Sequence, residues 1–217
     1  MSGYVSGGRR LGDVPRTTEA EGAAAVSRAV RARVGGPPAA WWGMVILIAS
    51  EATLFAAFVA TYFYLRFTSP EWPQGGLPEP KALVPLILLA VLVSTSVPMQ
   101  LASLAARAGR VGAARLFVLA ALVVQAGYLA YELYDYRDQL HDFGIGRNAY
   151  SSIYYTLLGA DHAHVALGLL FNLWLLGKLA TGLTTYRMNA TQAITWYWHA
   201  VNAITVVVFA TLLSPHL

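Results

Sequence analysis

Cysteine is absent from the 217 residues. That excludes disulfide staples, cysteine-ligated zinc, iron–sulfur clusters and thiol catalysis. Charge is scarce as well: Asp, Glu, Lys and Arg make up 12% of the chain, about half of the roughly 25% in a soluble domain. There is no glycine-rich phosphate loop, no internal repeat and no pattern that points to nucleic acid. What fills the space is apolar. Hydrophobic residues reach 57%, against roughly 45–50% in soluble proteins. Such a chain has too little polar surface for a soluble globule and too much apolar surface for a disordered tail. It reads as an integral membrane protein.

The first 38 residues differ from the rest. They carry Arg9, Arg10, Arg16, Arg28, Arg31 and Arg33, few acids, and almost no large apolar side chains. This composition cannot bury enough surface to offset its ordering entropy, so a flexible basic tail is expected over 1–38. The pair Arg9-Arg10 is followed by its first apolar run only some thirty residues later, too far for an export signal, so the tail is expected to be retained.

The remainder, 39–217, divides into apolar stretches at 41–67, 82–107, 113–136, 150–178 and 191–213. Each exceeds the ~20 residues a helix needs to cross ~30 Å of hydrocarbon. The fold expected is therefore all-α, an integral membrane bundle of five transmembrane helices. Turn residues separate them: Pro73-Gln74-Gly75-Gly76, Gly109, Gly144 and Gly146, and Gly182. Pro98 lies inside the second span and should kink it. Eleven of the fifteen basic residues fall on the N-terminal side of the membrane: the six arginines of the tail, Arg107, Arg110, Arg115, Lys178 and Arg187. Only Arg66, Lys81, Arg137 and Arg147 fall on the other. Basic residues stay on the cytoplasmic side, so the N-terminus is expected to be cytoplasmic and the C-terminus external.

Ionisable groups within the spans carry the functional information, because each costs at least ~2.5–3.5 kcal/mol to insert. Glu51 lies about 15 Å along its helix from Trp41, near mid-membrane, among apolar neighbours. It is either a proton-exchanging carboxyl or a neutral acid tying two helices together. Gln125, Tyr128, Glu132 and Asp135 form a stripe at spacings of three and four, the pattern of a helix–helix contact. In the fourth span, Asp161 and His164 share a face, so the carboxyl is expected to orient or charge the imidazole. His162 and His164 point to nearly opposite sides and cannot jointly hold one ion. In the fifth span, Gln192, Thr195, His199 and Asn202 form a stripe that must face protein. Alanines at four-residue spacing (Ala52, Ala56, Ala60; Ala102, Ala106) allow close helix packing, inside the bundle or against a partner. Haem or copper ligation is not expected: His164 and His199 lie ~21 and ~10 Å from the inner side, too poorly matched in depth for one iron.

The run from Trp42 through Ser50-Glu51 to Phe55 resembles the Gly-Met…Ser-Glu-x-x-x-Phe segment of cytochrome c oxidase subunit III. The likeness continues through Tyr131-Glu132, Gly159…His164-Val165 with Gly168, and Trp196-Tyr197-Trp198-His199, in order and across all five spans. The five-span length matches the short bacterial form of that subunit. The pattern departs in places. The family's His-Gly-Leu-His-Val is here Asp161-His162-Ala163-His164-Val165, Leu129 stands for a glutamine, and Asn202 for an aspartate.

The resemblance implies a non-catalytic subunit of a haem–copper oxidase in a bacterial plasma membrane. It would bind no haem or copper, pack against catalytic subunit I and subunit II, hold phospholipids, and sustain proton uptake. The family's reactive buried carboxyl corresponds to Glu51, and Glu132, His164 and His199 carry over with it; together with Asp161 and Asn202 these last three are expected to form an intramembrane polar network, with no catalytic or metal residue. Two other functions compete: the subunit III of a quinol oxidase or the related protein that accompanies nitric oxide reductases, and an independent proton-coupled transporter. The odd span count and missing inverted repeats disfavour the transporter.

Overall fold

In hydrocarbon no water satisfies a stray backbone group, so each apolar run must close its own hydrogen bonds as a helix. The computed structural model describes residue 22 and residues 39–77, 82–182 and 184–214. It contains α1 (Ala39–Thr68), α2 (Leu83–Ser94), α3 (Ser96–Arg107), α4 (Val111–Asp142), α5 (Ala149–Leu179) and α6 (Thr185–Leu212), with a short 3-10 turn at Gln74–Gly76. Among the described residues there is no strand. Five helical stretches are long and apolar enough to span a membrane, α2 and α3 together making one of them. The tail expected over 1–38 lies outside the described residues, Gly22 apart.

The second span breaks at Thr95, one turn before Pro98. Pro98 has no N–H to offer the Ser94 carbonyl, and its ring presses on that turn, so the interruption falls upstream of the proline itself. The helix resumes with the Met99 N–H donating to the Thr95 carbonyl at 3.3 Å. Two span ends differ from the hydropathy boundaries. α4 continues to Asp142, because its last turns carry exposed Arg137, Asp138 and His141, which favour helix without needing lipid. α6 starts at Thr185, where the Thr184 hydroxyl caps the Arg187 N–H at 3.3 Å.

Other ends are closed by equally specific chemistry. α3 finishes with Gly109 at φ +72°, Arg110 N–H on the Ala105 carbonyl and Gly109 N–H on the Ala106 carbonyl, a paired closure that needs a left-handed residue at this position. α5 opens with a reciprocal cap between Asn148 and Ser151. Asn148 also holds the loop between α1 and α2 by donating to the Gln74 carbonyl at 2.8 Å. At the far end of α5, Arg115 of α4 donates twice to the Leu179 carbonyl, placing a cation at a helix C-terminus.

α6 packs against α1, α2, α3 and α5, and α4 packs against α2, α3 and α5. The two alanine stripes have different fates. Ala102 and Ala106 of α3 are wholly buried with Ala105 against Ala114, Val118 and Ala121 of α4, so they bring two backbones together. Ala52, Ala56 and Ala60 are exposed on α1. α5 makes room for α6 at Gly168, where a Cβ would stand 2.5 Å from the Trp198 ring.

Candidate functional site

Glu51 projects from α1 onto α5, where its Oε2 lies 2.7 Å from His164 Nε2. The other ring nitrogen, Nδ1, is 2.6 Å from the Ala160 carbonyl one turn back on α5. A carbonyl only accepts, so Nδ1 carries a hydrogen. Nε2 and Oε2 then need one proton between them, held as Glu–H···N or as carboxylate···H–N⁺. Both forms are neutral overall, which removes most of the cost of placing an acid and a base in the membrane. Phe55 stands edge-on to the imidazole at 5.1 Å, and the Tyr197 hydroxyl donates to the His164 carbonyl at 3.2 Å. The pair is not sealed: 23% of the Glu51 side chain and 16% of His164 remain accessible. A titratable pair that shares one proton at the edge of a bundle can exchange or sense protons.

The helix-face argument expected His164 to pair with Asp161, and that expectation needs correcting. The hydrogen bonds of His164 go to Glu51 and Ala160, whereas Asp161 Oδ1 meets the Thr205 hydroxyl of α6 at 2.7 Å. Residues three apart on α5 share a face, but that face is wide enough for one to look towards α1 and the other towards α6. His162 turns to α4, with Nε2 at 3.3 Å from Glu132 Oε2; both are buried, and Tyr136 lies edge-on to the ring. The two histidines thus serve different helices. Among the described residues, no three His, Asp or Glu side chains gather in a way that could hold a metal ion.

The stripe on α4 splits along its length. Gln125 accepts from Asn172 at 2.8 Å, Glu132 meets His162, and Asp135 holds Gln139, which in turn accepts from Tyr154. On α6, Thr195 and Asn202 point inward and His199 sits at the rim. Their partners lie in sequence around the break in the second span. Trp198 Nε1–H donates to Thr95, Asn202 to Ser96 and His199 to Gln100 at 3.2 Å, while the Thr195 hydroxyl, 2.9 Å from the Thr191 carbonyl, also reaches the Met99 carbonyl at 3.3 Å. Four rungs therefore join α6 to the start of α3. Glu51, Glu132, Asp161, His164, His199 and Asn202 occupy separate hydrogen-bonded groups rather than one chain of contacts.

Sequence reasoning did not single out Thr95, Ser96, Gln100 or Thr205, and it named Trp198 without its partner. The run Ser94-Thr95-Ser96 just before Pro98, followed by Gln100, was the available sign. Three hydroxyls and an amide inside an apolar span must find partners, and a proline break is where they can turn from their own helix to the next.

Comparison with known proteins agrees with this architecture. The family model for cytochrome c oxidase subunit III matches residues 35–214. A probable cytochrome c oxidase subunit 3 of Nocardia farcinica is 31% identical over 176 residues, covering 78% of this chain and 85% of its own. Cytochrome c oxidase subunit 3 of Bacillus subtilis is 28% identical over 173 residues, 78% of this chain and 83% of its own. A cytochrome bo(3) ubiquinol oxidase subunit 3 of Pseudomonas aeruginosa is 27% identical over 175 residues, 79% and 82% of the two chains. With five apolar helices and a family match that runs from before α1 to beyond α6, the chain belongs to the cytochrome c oxidase subunit III family, a multi-pass membrane subunit of a haem–copper oxidase complex.

Proposed function

We propose that this chain is the non-catalytic subunit III of a cytochrome c oxidase in a bacterial plasma membrane, with its N-terminus in the cytoplasm and its C-terminus outside. It packs beside catalytic subunit I and subunit II, holds phospholipids against its exposed helices, and sustains proton uptake by the catalytic subunit. Haem and copper reside in those partner subunits. The observation that supports the reading is the Glu51–His164 pair, joined at 2.7 Å and partly accessible at the edge of α1 and α5. The distribution of arginine and lysine supports the orientation.

A contrast among exposed polar groups supports protein partners as well as lipid. Ser50, Thr53, Thr61, Ser94 and Thr156 each return their hydroxyl to a carbonyl of their own helix, so they are compatible with acyl chains. Gln100 cannot do this with its whole amide. Its oxygen takes the His199 N–H, and its exposed NH₂ still wants an acceptor at membrane depth. A neighbouring subunit supplies one.

The ubiquinol oxidase relative favours a second reading, in which the electron donor is a quinol. Affinity purification in mild detergent, followed by oxygen uptake with reduced cytochrome c and with quinol, decides between them. Uptake with cytochrome c alone is expected; uptake with quinol alone moves the chain to the second branch.

A further inference from the structure

Asp161 belongs to neither the Glu51–His164 pair nor the α3–α6 rungs, yet it is completely buried on α5, bonded to α6. Its Oδ1 lies 2.7 Å from Thr205 Oγ1, and the same hydroxyl lies 3.0 Å from the Val201 carbonyl one turn back on α6. A threonine hydroxyl has one hydrogen to give. If it goes to Val201, the bond to Asp161 must run the other way, from a carboxylic acid O–H to Thr205 Oγ1. If it goes to Asp161, the 3.0 Å approach to Val201 sets two acceptors against one donor.

The surroundings favour the first arrangement. Asp161 Oδ2 is buried with no hydrogen-bond partner, as is the Tyr128 hydroxyl of α4. An ionised oxygen left bare in the core is far more costly than the carbonyl oxygen of a neutral acid. Among the described residues, no lysine or arginine acts on the group. From α4 it meets Glu132 and Tyr128, from its own helix His162 and His164, and from α6 Thr205. His162 Nε2 is placed against Glu132 and His164 Nε2 against Glu51, so neither of these nitrogens is directed at Asp161.

We infer that Asp161 is a proton-binding site in its own right: a resident carboxylic acid whose O–H donates to Thr205 Oγ1, which in turn donates to the Val201 carbonyl. The bundle then stores two protons on separate acids, one shared by Glu51 and His164 near the surface and one sealed on Asp161. The Asp161 proton stays in place while the outer pair exchanges, because the protein around it closes it off.

Absolute infrared absorption spectra of the purified oxidase containing this chain, compared between wild type and variants, test the assignment at neutral pH. Asp161→Asn should assemble at wild-type yield, since its amide N–H can replace the acid O–H towards Thr205. It should lose one C=O band of a protonated carboxylic acid. Thr205→Val removes the acceptor and should move that band without abolishing it. Wild-type protein grown with isotopically labelled aspartate should shift the same band, a readout that needs no variant. The proposal is overturned if the labelled protein shows no aspartate C=O band, or if Asp161→Asn loses only carboxylate absorption.

Discussion

At Glu51 the proton bookkeeping leads to an asymmetric expectation. Glutamine keeps the shape of a neutral acid, and its NH₂ can donate to His164 Nε2 once Nδ1–H is committed to Ala160. Glu51→Gln should therefore leave the amount of assembled oxidase and its thermal midpoint near wild type. Glu51→Leu should lower the midpoint, because it strands the imidazole nitrogen at a cost of about 1–3 kcal/mol. Thermal denaturation of the purified complex reads both, and equal loss in the two variants would mean that the ionised carboxylate is what holds α1 to α5. The sequence showed that Glu51 and His164 were out of place in hydrocarbon. It could not show that they meet, since 113 residues separate them and helical periodicity relates only near neighbours. Local spacing instead suggested Asp161 for His164, and the neighbouring helices overrode it.

Between elements, the α5–α6 contact turns on a missing side chain. A Cβ at residue 168 would sit 2.5 Å from the Trp198 ring, which is fully buried and also bonded to Thr95. Gly168→Ala should push α6 away from α5 and destabilise by about 1–3 kcal/mol, the usual cost of overpacking. Unchanged stability would mean that the ring has room to swing. The rungs between α6 and α3 should not weigh equally. Hydrogen bonds between membrane helices average about 0.6 kcal/mol and reach ~1.7. Thr95→Val removes the buried acceptor of Trp198 and belongs at the upper end. His199→Leu breaks a rim contact with Gln100 and belongs nearer the mean, so its thermal shift should be the smaller of the two. The polar stripe on α6 was readable from spacing alone, but its partners were not. They depend on where the second span breaks, and Pro98 moves that break to Thr95, aiming Thr95, Ser96 and Gln100 at α6.

For the molecule as a whole, hydropathy alone was enough to find five spans, because lipid enforces long uninterrupted apolar helices. It placed the ends of α4 and α6 six residues short, since polar first and last turns outside the hydrocarbon leave no mark in an apolar window. The same helices that make the bundle leave each intramembrane histidine facing a different element, and the proposed function assigns electron transfer to the neighbouring subunits. Detaching the chain from the purified oxidase and measuring iron and copper in both fractions tests that division of labour most directly. All of the haem iron and copper should stay with the remaining subunits, which should still reduce oxygen. Iron or copper leaving in proportion to this chain would contradict it.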